Sequence, residues 1–482
     1  MKSTNPLCSP RFVLSFLLFA IAAAGGVAGA QISSFEHVVI VVQENRTPDN
    51  LFQGLCTSSA ICSTHPTSSQ YNLQTNNWLD NQQAGGVIQP LPAAINAGYD
   101  LSHSHSAFIK QCDQDSVSGV CRMDGGAAIP CSGTCPSQPQ FRYVDNSTGI
   151  LAPYLQIAGQ YGWANYMFQT NQGPSFPAHQ FIFGGTSAPS AADDAAGTYA
   201  SENLLDSDST AGCIAPAGTQ VLEITPPDNE NTYIYPCFEH NTLPDVLPAN
   251  VTWRYYTPKA GSIWTAPAAI NHICQPNQPT GGQCVGPMWM NNVDLKSADV
   301  LSDIGNCELR NVSWVIPTGQ NSDHAGYNSA GGPAWVASIV NAIGQSACIN
   351  PDGSSYWNST AILILWDDWG GWYDHEAPTF LAQPFGDYQL GFRVPFIFVS
   401  AYTRAGLIEN ERHDFGSALR FVEHNFGVKL GILAFADARA KDDLSSFFNP
   451  KLTPRPFVTI PASKSAEFFL HDQSPPADPD DD

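Results

Sequence analysis

The length, composition and charge of this chain describe an ordinary globular protein and exclude one class of partner. Its 482 residues are 43% hydrophobic, which is enough to fill a large core, while 37 prolines and 39 glycines indicate many loops. The formal net charge of −23 at pH 7 repels polyanions, so nucleic-acid binding through a basic surface is excluded.

The first thirty residues have the pattern of a secretory signal. Lys2 and Arg11 lie in a polar start, residues 12–24 are apolar, and residues 28–30 form a small-residue cleavage site. The apolar run is too short to cross a membrane, and no later run reaches the roughly 20 apolar residues that a crossing needs. The sequence therefore predicts that residues 1–30 are removed and that the protein is secreted, extracellular or periplasmic, without a transmembrane segment.

The cysteines indicate disulfides. Cys8 leaves with the signal, so twelve of the thirteen cysteines remain, an even number in an oxidising compartment. Up to six disulfides are predicted. Their pairing stays open, because twelve cysteines allow roughly ten thousand connectivities.

Strand-like and helix-like patterns alternate along the chain. Short β-branched or aromatic runs are typical of buried strands, and apolar residues at helical spacing indicate helices. The predicted strands are 36–42, 251–256, 312–316, 361–366 and 394–400, and the predicted helices are 334–343 and 416–426. Strands interleaved with helices predict an α/β fold with a mostly parallel central sheet between helices.

Composition also divides the chain. One large domain is predicted over residues 31–470, with Cys-rich or polar insertions near 55–140 and 185–235. The Pro- and Asp-rich segment 471–482 is predicted to be a disordered acidic tail.

Acidic side chains follow two of the predicted strands. Glu44 and Asn45 come after the first strand, and Asp367 and Asp368 come after the strand at 361–366. Ligands bind beyond the carboxyl ends of parallel strands, and three carboxylates with an amide oxygen form a hard-ligand set for a divalent cation. We therefore predict a divalent metal site, with the identity and number of the ions left open.

A nucleophile and several histidines complete the candidate site. Ser175 follows Gly173 and Pro174, a turn that could present its hydroxyl at a helix start, where backbone amides attract phosphate oxygens. Histidines beside acidic or turn residues can protonate a leaving alkoxide or bind a phosphate oxygen. These candidates are His103, His105, His324 and His375.

The order of these segments resembles the bacterial-type phosphoesterase family, which contains phosphatidylcholine-hydrolysing phospholipases C and related acid phosphatases. The motifs are HVVIVVQENRTPDNLF from His37, GPSFP from Gly173, DHAG from Asp323, WDDWGGWYDH from Trp366 and GFRVP from Gly391. The resemblance runs from about residue 35 to residue 450.

The resemblance implies a fold like that of alkaline phosphatase, together with roles for individual residues. Ser175 would be the metal-bound nucleophile, and His103 and His324 would contact the phosphate, one of them protonating the leaving group. The implied metal ligands are Glu44, Asn45, Asp367 and Asp368. The implied mechanism has two steps, since Ser175 attacks phosphorus and water then hydrolyses the phosphoserine.

The chain departs from the family pattern just after the nucleophile. The family commonly has Asn-Arg there, whereas this chain has Ala178 and His179, so His179 would replace a phosphate-binding arginine. His105 and His375 are further candidates for substrate binding. The preference for His103 over His105 depends on the Asp-x-x-His spacing from Asp100.

The favoured hypothesis is a secreted, metal-dependent phosphoesterase like phospholipase C, acting on a phosphate ester or a phospholipid. The alternatives are an acid phosphomonoesterase and a non-catalytic secreted binding protein on the same scaffold. A phospholipase must reach lipid, and transient membrane-surface contact is one route. Four aromatic residues could line an opening or dock on lipid, although buried packing is the commoner fate of such residues. The candidate aromatic residues are Trp253, Trp264, Trp289 and Phe385.

Overall fold

A computed structural model describes residues 35–58, 60–205, 210–327, 330–381 and 388–474, without the side chain of Phe435. The predicted signal at 1–30, residues 475–482 of the predicted acidic tail, and Phe385 lie outside the described residues.

A mixed sheet of eight strands forms the centre of the fold. In chain order the strands are β1 (His37–Gln43), β2 (Gly162–Met167), β3 (Trp253–Tyr256), β4 (Val293–Asp294), β5 (Val312–Val315), β6 (Thr360–Trp366), β7 (Phe396–Val399) and β8 (Leu407–His413). Their order across the sheet is β4-β3-β5-β1-β6-β7-β2-β8. Strand β7 runs antiparallel to both of its neighbours, and the other pairs are parallel. The predicted α/β class and mostly parallel sheet are confirmed.

The two strands that carry the acidic motifs lie side by side at the middle of the sheet. Every residue of β1 and β6 is buried, as expected for continuous apolar strands covered on both faces. The strands are parallel and in register from His37 opposite Thr360 to Gln43 opposite Trp366. Because both strands end at the same edge, the residues that follow them emerge next to each other.

Five helices of eight or more residues are present in the described part of the chain. They are α1 (His105–Cys112), α2 (Ala152–Gln160), α3 (Ser175–Gly184), α4 (Gly332–Gln345) and α5 (Phe415–Asn425). Helix α4 includes the predicted helix 334–343, and α5 matches the predicted helix 416–426 except for Phe426, which caps its end. Among the described residues, no helix is both long enough and apolar enough to cross a membrane.

Short elements occupy the connections. Helices of four to seven residues are Pro48–Leu51, Ala191–Ala196, Leu243–Val246, Asn271–Cys274, Pro287–Asn292, Asp299–Gly305, Tyr356–Ser359, Ala434–Arg439 and Ala466–His471. Two-stranded pairs join Trp78–Leu79 with Val87–Ile88, Leu91–Ala93 with Arg142–Val144, and Tyr99–Leu101 with Cys131–Gly133. A small antiparallel sheet contains Tyr199–Leu204, Val221–Thr225 and Asn229–Ile234. The 3₁₀ helices are Gln53–Leu55, Gly126–Ala128, Gly212–Ile214, Ala266–Ala269, Gly319–Asn321 and Ser445–Phe447.

Six disulfides pair all twelve cysteines outside the predicted signal. They are Cys56–Cys62, Cys112–Cys121, Cys131–Cys135, Cys213–Cys237, Cys274–Cys284 and Cys307–Cys348. The partners are only 4 to 41 residues apart in sequence, so the disulfides close local loops. The predicted number of disulfides is confirmed.

Candidate active site

Two acidic loops meet at the carboxyl edge of the sheet. Asn45, directly after Glu44 at the end of β1, donates its backbone N–H to Oδ1 of Asp367, 3.1 Å away. The same oxygen accepts the backbone N–H of Asp368 at 2.8 Å. All four side chains are fully buried. The register between β1 and β6 therefore brings the predicted ligands together.

A glycine turn holds Asp368 in position. Gly370 donates its N–H to Oδ1 of Asp368 at 2.7 Å, and its φ of +60° lies in the left-handed region. A Cβ atom on Gly370 would lie 2.5 Å from the carbonyl oxygen of Asn45. Only glycine fits this close approach without displacing one of the two loops.

Ser175 is the first residue of helix α3, and its side chain is directed at the acidic loops. Its hydroxyl donates a hydrogen bond to Oδ2 of Asp368 at 3.1 Å. The next backbone N–H, of Phe176, donates to Oδ1 of Asn203 at 2.9 Å. Side-chain amides of Gln169 and Asn171 donate to the carbonyl oxygen of Gly173, at 3.0 and 2.9 Å, and fix the preceding turn. The nucleophile candidate is thus held at a helix start.

His179 lies one helical turn beyond Ser175, on the same face of α3. Its Nε2 is 3.3 Å from Oε1 of Glu44 and 3.6 Å from Oδ2 of Asp367. Neither ring nitrogen has a hydrogen-bond partner among the described residues. Burial lowers the pKa of His179 to about 4, against the charge of Asp367, which raises it. The ring is also stacked against Trp264, with 6.4 Å between ring centroids.

His103 and His324 are anchored in the same way. Nδ1 of His103 is 2.9 Å from the carbonyl oxygen of Leu101, and Nδ1 of His324 is 2.6 Å from that of Ala325. Because a carbonyl only accepts, each Nδ1 carries the proton and donates. Nε2 of His103 then accepts from Nδ2 of Asn45 at 3.0 Å and lies 3.9 Å from Oδ2 of Asp368. The two imidazole centroids are 6.0 Å apart, so the structure brings both histidines into the site.

His105 lies beside the site, at the wall of a cavity of about 220 Å³ that Phe108, Gln172 and Glu230 also line. Nδ1 of His105 is 3.0 Å from Oε1 of Glu230, and its backbone N–H donates to Glu202 at 2.9 Å. Burial alone lowers the pKa of His105, but the hydrogen bond and the charges of the two glutamates outweigh it and raise the pKa. Burial and the charge of Glu230 raise the pKa of Glu202 to about 7. The cavity wall therefore combines acidic and aromatic groups.

His375 is held in a separate cluster. Its Nδ1 contacts Oδ2 of Asp49 at 2.6 Å, and its Nε2 is 2.9 Å from Oδ1 of Asn72. Arg393 makes two hydrogen bonds to the Asp374 carboxylate, at 2.8 and 3.0 Å. Arg393 Nη2 also lies 3.8 Å from Oδ1 of Asp49, so one positive charge faces the two carboxylates of this cluster.

The residues at the acidic loops fit a divalent cation. The side chains of Glu44, His179 and Asp367 place one ligand atom each within 4.8 Å of one another. Oδ1 of Asn45 and Oδ2 of Asp367 are buried and receive no hydrogen bond from any described residue. A buried carboxylate such as that of Asp367 needs a compensating positive charge, and a cation would also give Oδ1 of Asn45 a partner. The donor set, mostly oxygen, suits a divalent metal.

Sequence reasoning did not assign roles to several residues that support the site. Asp323, beside His324, accepts hydrogen bonds from Tyr154 at 2.8 Å and Trp366 at 3.0 Å, and burial raises its pKa to about 6. Its presence in the DHAG motif was the available signal. Asn203 and Glu202 come from the predicted insertion near 185–235, where no motif marks them.

The tryptophans considered for lipid contact are buried. Trp264 is fully buried and lies between the rings of His179 and His324, with centroids 6.4 and 6.1 Å away. Trp253 and Trp289 are only 7% and 5% exposed. These three side chains pack inside the protein and present little surface to a membrane.

Comparisons with known proteins agree on one family. The sequence profile of the Phosphoesterase family matches residues 35–429. Phospholipase C A of Mycobacterium tuberculosis is 24% identical over 477 aligned residues, covering 90% of this chain and 82% of that enzyme. The non-hemolytic phospholipase C of Pseudomonas aeruginosa is 25% identical over 264 residues, covering 48% of this chain but only 36% of that enzyme.

A solved structure is also similar. It is a protein of the alkaline phosphatase superfamily from Vibrio parahaemolyticus, with 10% identity and a TM-score of 0.30. The alignment covers 58% of this chain and 61% of that one. A similarity this slight supports no further argument.

Proposed function

Because the chain belongs to the Phosphoesterase family, as its motifs predicted, we propose that it is a secreted, metal-dependent phosphodiesterase like phospholipase C. The family places it among the phosphoric ester hydrolases. The observation that supports the mechanism best is the Ser175 hydroxyl, held at a helix start 3.1 Å from Asp368 and beside the buried acidic loops. Six disulfides support secretion into an oxidising compartment.

The proposed metal site consists of Glu44, Asn45, Asp367 and Asp368. A divalent ion at this position would supply positive charge that favours the serine alkoxide and stabilises charge developing on the phosphoryl oxygens. The protein contributes the fixed geometry, because the backbone hydrogen bonds to Asp367 and the Gly370 turn hold the ligands before substrate arrives.

In the first step Ser175 Oγ attacks phosphorus, and the bond from phosphorus to the alcohol oxygen breaks on the opposite side. The hydroxyl proton of Ser175 leaves along its hydrogen bond to Asp368. His324, or His103 once its Nε2 is protonated and no longer accepts from Asn45, donates a proton from Nε2 to the departing alcohol. The product of this step is a phosphoserine ester and a free alcohol.

In the second step a water molecule attacks the phosphoserine. The histidine that protonated the alcohol now accepts a proton from the water, and the Ser175 oxygen regains its hydroxyl proton from Asp368. A diester substrate then yields a phosphomonoester, whereas a monoester yields inorganic phosphate. The start of α3 favours the negative phosphoryl group in both steps.

The cavity beside His105 favours a diester with a cationic group. It contains the carboxylate of Glu230 and the aromatic side chains of Phe108 and Phe380, a combination that binds an ammonium group. Gln172, another wall residue, is three positions before Ser175, so the cavity adjoins the turn that carries the nucleophile. A bare phosphomonoester would leave this acidic surface unused.

The proposal is tested by steady-state hydrolysis of a phosphocholine diester and a phosphomonoester by the oxidised protein. Ser175→Ala and EDTA-treated protein are compared, with Ser346→Ala as a matched control outside the site. We expect diester turnover by Ser175→Ala to be lower than that of the wild type by at least about 10³-fold. EDTA should abolish turnover by the wild type, and only a divalent ion should restore it.

Other outcomes would point elsewhere. Turnover of the monoester alone would favour the acid phosphomonoesterase. If neither ester is cleaved, or if Ser175→Ala retains full activity, the proposed mechanism is wrong and the binding-protein hypothesis takes its place.

A further inference from the structure

We propose that His179 is a nitrogen ligand of the metal, so that the site selects an ion such as Zn²⁺, Fe²⁺ or Co²⁺ over Ca²⁺ or Mg²⁺. The inference rests on the proposed function in one respect, since it takes the metal site at Glu44 and Asp367 as given. It changes the role expected for His179, from binding the phosphate to holding the metal.

The distances around Nε2 fit a shared coordination shell. Nε2 of His179 lies 3.3 Å from Oε1 of Glu44 and 3.6 Å from Oδ2 of Asp367. Ligand atoms bound at about 2.0–2.2 Å to one ion are separated by about 3.0–3.5 Å at neighbouring coordination positions. The distance to Glu44 lies within this range and the distance to Asp367 just above it, and one ligand atom of each of the three residues lies within 4.8 Å of the others, close enough for one ion to contact all three.

The environment of the ring gives an independent reason. His179 is fully buried, and neither ring nitrogen has a hydrogen-bond partner among the described residues. Buried polar atoms are nearly always satisfied, so such a ring requires an explanation. Nε2 faces two carboxylate oxygens without a hydrogen bond to either, and a cation between the three atoms would give this ring nitrogen a partner.

The position of the ring is fixed by the fold. His179 follows Ser175 by four residues on α3, so both side chains are directed at the same edge of the sheet. Trp264 stacks against the imidazole with an interplanar angle of 23°, which limits its rotation. A ring held this way is preorganised for ligation.

The residue type matters for the choice of metal. The resembled family commonly has an arginine here, and an arginine stays protonated and has no lone pair for a metal. Histidine offers a nitrogen lone pair, and imidazole suits Zn²⁺ and Fe²⁺, whereas Ca²⁺ and Mg²⁺ prefer oxygen. This chain would therefore hold a different class of ion from a site made only of oxygen ligands.

The test measures Co²⁺ and Ca²⁺ binding to the full oxidised protein by calorimetry, for the wild type, His179→Gln and His240→Gln. His240 is the matched control, because it is buried, its ring lies 3.0 Å from where a Cβ atom on Gly184 at the other end of α3 would be, and its Nε2 has no hydrogen-bond partner among the described residues. We expect His179→Gln to weaken Co²⁺ binding by at least about 10–100-fold and to change Ca²⁺ binding by much less. His240→Gln should bind both ions as the wild type does.

X-ray absorption of the Co²⁺-loaded wild type gives a second measurement that does not depend on a variant folding. Scattering from an imidazole ring is expected, and a shell of oxygen alone would overturn the inference. Unchanged Co²⁺ binding by folded His179→Gln would also overturn it, and weaker inhibition by phosphate in that variant would return His179 to phosphate binding. If the wild type bound no divalent ion, the metal dependence in the proposed function would be wrong as well. Failure of the metal site is thereby distinguished from failure of His179 as its ligand.

Discussion

The hydroxyl of Ser175 donates a hydrogen bond to Oδ2 of Asp368, and this contact joins the start of helix α3 to the loop after strand β6. The two residues are 193 positions apart in sequence. Their contact depends on the sheet, since β2 leads to Ser175 and β6 leads to Asp368. The nucleophile and the acidic loops are therefore assembled by the central strands rather than by any local segment.

The Gly370 turn should be sensitive to a single methyl group. Gly370→Ala would combine a left-handed φ of +60° with a Cβ placed 2.5 Å from a backbone oxygen. We expect a loss of about 2–4 kcal/mol in the free energy of unfolding, together with lower metal affinity. Thermal and urea unfolding measure the first effect, and calorimetry measures the second.

Gly353→Ala is the matched control for this prediction. Gly353 has a φ of +86°, but no atom lies within 4 Å of the position of its Cβ. In Gly353→Ala the free energy of unfolding should fall only by the cost of the left-handed backbone, about 1–2 kcal/mol, and metal binding should be retained. Equal losses in the two variants would mean that the close approach to Asn45 is unimportant.

When the histidine that protonates the alcohol is removed, the loss of kcat should depend on the leaving group. His103→Ala and His324→Ala should be compared on an alkyl phosphodiester and on a nitrophenyl ester, whose alcohol needs no protonation. For the residue that acts as the acid, kcat on the alkyl ester should fall about 10²–10⁴-fold, with a much smaller loss on the nitrophenyl ester. Equal losses on both esters in both variants would contradict acid catalysis by either histidine.

Glu230 should affect recognition of a cationic group and leave the chemistry intact. Its carboxylate lines the cavity beside His105 and accepts a hydrogen bond from Ser201 at 2.8 Å, which glutamine can also accept. Glu230→Gln should raise KM for a phosphocholine diester about 5–50-fold and leave KM for a neutral diester nearly unchanged. Glu223→Gln, in the neighbouring strand of the same small sheet, is the control. An equal rise for both diesters would argue against an ammonium site.

A histidine outside the candidate site should make stability depend on pH. His272 contacts Asp245 at 3.0 Å and Glu239 at 2.8 Å, and the hydrogen bond to Asp245 is the main cause that raises its pKa to about 8. Because the folded pKa exceeds the ordinary value of 6.5, the stabilisation is complete below pH 6.5 and is lost as pH rises through about 8. Allowing for solvent screening, the contribution is about 1 kcal/mol.

Urea unfolding at pH 6 and pH 9 checks this sign. The difference in unfolding free energy between wild type and His272→Gln should be about 1 kcal/mol at pH 6 and near zero at pH 9. A difference that is the same at both pH values would show that the imidazole charge does not contribute.

The sequence predicted the strands at the centre of the sheet best. Continuous apolar runs mark β1 and β6, because both faces of these strands are covered. Strands β2, β4 and β8 were missed, since GWANYM contains glycine and asparagine, Val293–Asp294 is only two residues long, and LIENERH carries charges. The antiparallel direction of β7 was not predicted either, because a hydrophobic run has no direction and the connection decides it.

The same limit applies to the site. Motif order predicted the family and the class of enzyme, and both are confirmed. The contact of His179 with Glu44 and Asp367 could not be predicted, because the rotation of α3 relative to the sheet decides which side chains meet. Glu202 and Glu230 belong to a polar segment whose sequence contains no catalytic motif, so only the fold brings them to His105.

The most direct test of the central claim is the stereochemistry of hydrolysis at phosphorus. The substrate is a phosphocholine diester in which sulfur replaces one non-bridging oxygen, so that phosphorus is chiral. The wild-type protein would hydrolyse it in ¹⁸O-labelled water, and the configuration at phosphorus in the product would be determined. Attack by Ser175 followed by attack of water inverts the phosphorus centre twice, so the account predicts net retention. Net inversion would mean that water attacks the substrate directly, and it would contradict a phosphoserine intermediate.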